Sequence, residues 1–380
     1  MTVPGATDTT GADTDTTGAE LLPLDGACSG EAAEPTRLGV ITTDFASGGV
    51  SIADLAARTV SVDVAAATTD TVATWHDGHL YLVHRFGHNR LEVLDDVTWQ
   101  SLASVDVTAP STPEPNPQAL AVADDGLGYL PLFGAPEVQI FDLQATAPQK
   151  IGVIDLSPVG DADGTPEAGV AIACGSYLIV GIQRLVDYAP VDASSLLVLD
   201  RSAKSIVDLD PVAPGPQGVE LAGSWPRQLR PDPADPSGHT LLVLTTGLER
   251  VHLPSASRTW AIPDTTLAAA GITSFAPLAF ALDRDGRVAY LAAGDGDYPA
   301  VAIWRIGLDG ADPAVPEKII SGVAASEKVL ERIGDQLWVG DTSPGRAGLR
   351  VWDLAGPAPV ELTAAPLSTG LPPYAFVTIP

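Results

Sequence analysis

The pattern apolar-x-apolar-x-Asp returns about every 45 residues along this chain, a period that belongs to propellers and solenoids. It stands at Val50-Ser51-Ile52-Ala53-Asp54, Leu91-Glu92-Val93-Leu94-Asp95, Val138-Gln139-Ile140-Phe141-Asp142, Leu196-Leu197-Val198-Leu199-Asp200 and Leu349-Arg350-Val351-Trp352-Asp353. Two degenerate copies, Val251-His252-Leu253-Pro254 and Val301-Ala302-Ile303-Trp304-Arg305, fill the gap. Period-two alternation places one set of side chains on each face of a half-buried strand, and a closing Asp caps the next turn with its own carboxylate. Seven copies therefore predict seven similar sheets.

Each repeat divides into four strand-like pieces, A to D from the inside outwards. In the third they cover residues 118–123, 127–132, 138–143 and 150–156, with Asp124-Asp125-Gly126 as the tight A-to-B turn. The second and sixth repeat the plan around His76-Asp77-Gly78 and Asp283-Arg284-Asp285-Gly286. The first repeat begins too late, because residues 38–43 already have the form of strand B. Its missing piece sits at the other end of the chain, where Pro373-Tyr374-Ala375-Phe376-Val377-Thr378-Ile379 has the form of a strand A. Placed innermost in the first blade, this strand closes the ring and removes two exposed sheet edges. The expected fold is all-β, a seven-bladed β-propeller of four-stranded antiparallel blades. With 37 glycines and 33 prolines punctuating the chain, helix is expected only near residues 264–270 and 324–330.

Residues 1–35 form a Thr, Asp, Gly and Ala segment without Lys or Arg, a composition that buries too little to fold. They read as an acidic tether before one domain at 36–380. The net charge of −28 repels a phosphate backbone and an anionic membrane surface alike, so nucleic acid is not expected as a partner. No apolar run approaches the ~20 residues that span a bilayer. The first residues lack a basic and apolar leader, which fits a cytosolic chain or one whose signal segment has been removed, and an acidic tether before an all-β domain favours the second. The protein is thus expected outside the cytoplasm, as a monomer anchored through its tether. Only Cys28 and Cys174 are present. In an oxidising compartment they form one disulfide pinning the tail to the domain; otherwise they are unrelated thiols, Cys174 being a small buried residue.

The strands Leu38-Gly39-Val40-Ile41-Thr42-Thr43-Asp44, Gly49-Val50-Ser51-Ile52-Ala53-Asp54-Leu55 and Thr59-Val60-Ser61-Val62-Asp63-Val64 resemble the YVTN-type propeller repeat of surface-layer and YncE-like proteins. Leu80-Tyr81-Leu82-Val83-His84-Arg85 with Asn89-Arg90-Leu91-Glu92-Val93-Leu94-Asp95 is similar. The resemblance runs from about residue 37 onward and is strongest in the first three blades. It implies the seven-bladed fold and export, and says little about ligand.

With this strand order the D-to-A and B-to-C connections share one face, around the mouth of the central channel, where loops on a rigid scaffold carry function. The longest B-to-C loop, residues 183–195, is in blade 4. On the blade 2 loop, His84 and His88 could share copper or zinc with a third ligand, or simply end a strand and form a polar turn. Asp161, Asp163 and Glu167 make a fragment of a calcium loop on the connection into blade 4, and Gly294-Asp295-Gly296-Asp297 is a second acidic loop; both also read as solvated turns. Arg85, Arg184 with Tyr188, and Trp225 with Arg227 lie where the mouth is expected and could clasp an acidic or aromatic small molecule. The bland alternative packs Trp225 between blades and pairs Arg227 with a carboxylate. No nucleophile elbow, H-E-x-x-H, S-x-x-K, phosphate loop or C-x-x-C-H occurs. The expected function is an exported, non-catalytic binding or scaffold propeller taking a protein or small molecule at its channel mouth. Its rivals are a surface protein holding copper, zinc or calcium, and a propeller enzyme such as a lactonase or oxidoreductase.

Overall fold

A computed structural model describes residues 21–28, 34–108, 114–145, 147–272, 278–294, 300–309, 315–325 and 328–380. The strands gather into seven radial sheets. Blade 1 pairs Pro373–Ile379, Arg37–Thr43, Gly48–Asp54 and Thr59–Ala67 in that spatial order, so the last strand of the chain is innermost in the first blade. Blade 2 is Thr71–His76, His79–His84, Arg90–Asp95 and Ser101–Asp106, all antiparallel. Blades 3 to 7 follow the same plan, their innermost strands being Ala121–Val122, Ala168–Cys174, Gln228–Pro231, Ala279–Leu282 and Leu330–Ile333, and in blade 4 the short strand Val219–Glu220 also pairs with Ser195–Asp200.

Alternation along these strands buries one apolar cluster in each junction between neighbouring blades. Leu80, Leu82 and Leu94 of blade 2 meet Ile41, Val50 and Tyr374 of blade 1. Leu38, Val40 and Ala53 on the other side meet Trp338, Leu349 and Val351 of blade 7. The ring is thus held by seven equivalent hydrophobic seams, each removing aliphatic and aromatic surface from water at roughly 25 cal/mol per Å².

The repeated Asp does what its position requires. Oδ1 of Asp54, Asp95, Asp142, Asp200 and Asp353 accepts backbone N–H groups two or three residues on, at 2.6 to 3.1 Å, closing each C-to-D turn. In blade 5 the strand is Leu248–His252, so the degenerate copy read at 251–254 straddles its end and the following turn. The helix expected near 264 is present as Asp264–Ala269. Among the described residues of 324–330 no helix is found: Ala324 closes a strand and Leu330 opens the next, because the alternation there serves blades 6 and 7.

Residues 21–28 lie against the domain, although their composition reads as tether. Leu22 is 1% exposed within the apolar cluster of blades 4 and 5. The Leu21 amide donates to the Pro254 carbonyl at 2.7 Å and the Cys28 amide to the Gly238 carbonyl at 3.0 Å. Cys28 is disulfide-bonded to Cys174, the last residue of the innermost strand of blade 4. This strap uses the face of the A-to-B turns, opposite the loop-bearing face described next. Among the described residues no helix is long and apolar enough to cross a membrane.

Candidate functional site

Three loops rise side by side over blades 2, 3 and 4. On blade 2, the amides of His88 and Asn89 both donate to the Arg85 carbonyl at 3.0 Å, and Gly87 takes φ +78° to complete the turn. Glu114, arriving from the next connection, accepts from the Gly87 amide at 3.1 Å and from Asn89 Nδ2 at 3.0 Å. Phe86 is left at the tip, 62% exposed. On blade 3 the amide of Phe133 donates to the Asn116 carbonyl at 3.1 Å, tying its loop to the same connection.

The long blade 4 loop carries a hairpin of its own, Leu185–Val186 paired with Ala189–Pro190. Its two turn residues, Asp187 and Tyr188, have φ of 52° and 62°, the doubly left-handed turn that matches strand twist. Tyr188 at the tip is 80% exposed. At the base, the Leu185 amide donates to Glu167 Oε2 at 2.7 Å, and Arg184 Nη1 donates to the Ala193 carbonyl at 3.1 Å.

Between the three loops lies a groove of about 410 Å³ walled by Phe86, Phe133, Leu185 and Tyr188 and by the carboxylates of Glu114, Asp163, Glu167 and Asp187. Asp161 stands behind: one oxygen from each of Asp161, Asp163 and Glu167 falls within 4.8 Å of the others. Burial pushes Asp161 and Glu167 above the ordinary carboxyl range, while the Thr165 hydroxyl and amide hold Asp163 below it. Oδ2 of Asp161 is buried with no hydrogen-bond partner. Such a set disfavours three simultaneous negative charges and is relieved by any cation that enters.

The sequence candidates separate accordingly. Tyr188, Asp163 and Glu167 share the groove, with Asp161 behind it. Arg85 turns to the axis, where its Nε reaches Asp70 at 2.7 Å, Nη1 reaches Gln118 at 3.0 Å and Nη2 meets the Tyr374 hydroxyl. Trp225 and Arg227, half-buried on the connection into blade 5, do not line the groove. Of the proposed His84 and His88 ligand pair, His84 has both ring nitrogens engaged within the protein. His84 is fully buried, its Nδ1 3.0 Å from the hydroxyls of Thr68 and Thr71 and its Nε2 2.9 Å from Glu92, so both nitrogens are committed to packing the blade. His76 and His79 line a larger groove of about 760 Å³ on the opposite face, between blades 2 and 3. That groove draws on two blades; the smaller one gathers loops from three. The acidic loop at 294–297 lies, beyond Gly294, outside the described residues. Phe86 and Glu114 were not singled out from sequence; an aromatic at the tip of a Gly-bearing loop was the available signal.

No family model matches this chain, and no curated protein does. Solved structures do. A 6-phosphogluconolactonase candidate from Bacteroides fragilis superposes with a TM-score of 0.61 at 11% identity, covering 92% of this chain and 99% of its own. One from Bacteroides uniformis gives 0.61 at 14%, covering 90% and 99%. A Lactobacillus plantarum protein gives 0.56 at 15%, covering 90% and 98%. The chain is a seven-bladed β-propeller. At these identities the likeness is one of fold, and no family match bears on the YVTN-type resemblance.

Proposed function

We propose that this propeller is an exported, non-catalytic binding protein that captures its ligand in the groove over blades 2 to 4. The observation that carries the reading is the preparation of that groove. Phe86 and Tyr188 are displayed on turns already fixed by hydrogen bonds to Glu114 and Glu167, so little conformational freedom is lost on binding. The lining offers aromatic faces and carboxylates, groups that hold a ligand by contact and charge. The Cys28–Cys174 disulfide suits an oxidising compartment and supports export.

The enzyme alternative draws on the lactonase candidates among the structural neighbours. Hydrolysis of 6-phosphogluconolactone by the purified protein, followed against spontaneous opening, separates the two. The binding reading expects no rate above buffer. Saturable turnover that Arg85→Ala abolishes overturns it.

A further inference from the structure

Resting on that reading of the groove, we infer that its occupant is cationic: a lysine or arginine side chain of an extended peptide segment from a partner protein. Three observations converge. The groove's wall presents four carboxylates and no lysine or arginine. Two arginines on the groove's loops are engaged elsewhere, Arg85 with Asp70, Gln118 and Tyr374, and Arg184 with the Ala193 carbonyl. The groove's exposed apolar walls are two aromatic rings on neighbouring loops, Phe86 and Tyr188. An ammonium or guanidinium group between aromatic faces is attracted by their quadrupoles, and its alkyl stem covers the apolar surface that remains.

The depth of charge supports this choice. Burial raises the carboxyls of Asp161 and Glu167, and a nearby cation favours their charged forms. Four of the six oxygens of Asp161, Asp163 and Glu167 already accept N–H or O–H groups of the protein, among them the Asp163 and Leu185 amides and the Thr165 hydroxyl. A dedicated calcium cage wants six to eight free oxygens. An ammonium, satisfied by two or three acceptors, fits what is left.

The test uses the full chain with its disulfide and a fluorescein-labelled pentalysine peptide, read by anisotropy at 50 and 150 mM salt. Because the protein is acidic everywhere, the deciding variants either leave net charge alone or are compared with a control that changes it equally. Phe86→Ala with Tyr188→Ala removes two exposed rings, is expected to melt as the parent does, and should weaken pentalysine binding by about tenfold or more. Asp187→Asn should weaken it more than Asp285→Asn, which removes the same charge from an exposed turn on the opposite face. Pentalysine affinity indifferent to the double aromatic change means diffuse charge attraction and overturns the inference. So does calcium binding with no displacement by the peptide, or tetramethylammonium competing as well as pentalysine. Lactone turnover strikes instead at the binding reading itself.

Discussion

Arg230 on the innermost strand of blade 5 and Glu331 on that of blade 7 form a two-bond ion pair, at 2.9 and 2.5 Å, that passes in front of blade 6. The guanidinium lies 5.8 Å from the centre of the Phe280 ring, which belongs to the blade between them. One side chain thus ties three blades inside the channel, where both partners are mostly shielded from water. Truncation of one partner leaves the other's charge poorly solvated, so Arg230→Ala is expected to lose about 2–3 kcal/mol in urea unfolding. The change in Arg230→Met with Glu331→Leu is expected to be smaller than in either single truncation. A double-variant loss equal to the sum of the two single losses would mean the pair contributes only its separate contacts.

The disulfide joins the strap to blade 4 across 146 residues. By the chain-entropy account a closed loop of that size is worth up to about 5 kcal/mol. Reduction under native conditions should therefore lower the urea midpoint clearly. An unchanged midpoint would show that the strap holds without its bridge.

Leu22 fills the seam between blades 4 and 5. Removal of residues 1–20 is expected to leave the melting temperature unaltered, whereas Leu22→Ala should cost about 2 kcal/mol. Equal melts for Leu22→Ala and parent would remove the strap from the core.

His84 is buried, and that burial holds its imidazole below the usual histidine range despite the Glu92 hydrogen bond. The unfolded chain takes up the proton first, so stability is full above pH ~6.5 and is lost as the pH falls through the folded-state value. The Glu92 carboxyl, lowered by the His84 hydrogen bond, adds a second loss below pH ~4.5. Calorimetric melts from pH 8 to 5 should decline, and His84→Gln should flatten the upper part of that decline. A level profile in the parent would contradict a neutral, buried His84.

In the groove the sign runs through ligand affinity. Asp161 and Glu167 protonate above the ordinary carboxyl range because they are buried, with Asp163, Asp187, Asp192 and Glu114 as the surrounding charges. Pentalysine affinity should fall on acidification more steeply in the parent than in Glu167→Gln. Parallel profiles would place the peptide elsewhere.

The ring and its closure were legible because each strand carries its own period and each turn its own Asp or Gly. Val50 to Asp54 and Pro373 to Ile379 state their place without reference to anything distant. The groove was legible in parts: Asp163, Glu167 and Tyr188 are near in sequence, but Phe86 and Glu114 join them only through the geometry of adjacent blades. His84 was ambiguous because its partners, Thr68 on the connection into blade 2 and Thr71 on the innermost strand, lie off its own strand, so a buried hydrogen-bonding histidine and a ligand look alike. Leu21-Leu22-Pro23-Leu24 was the overlooked apolar signal in an otherwise acidic, Thr-rich segment.

The most direct measurement of the binding groove is amide hydrogen exchange of the full-length protein with and without pentalysine. Added protection confined to residues 85–89, 114–116 and 184–190 is the predicted result. Protection spread over acidic turns all round the ring, or absent from these three loops, would contradict it.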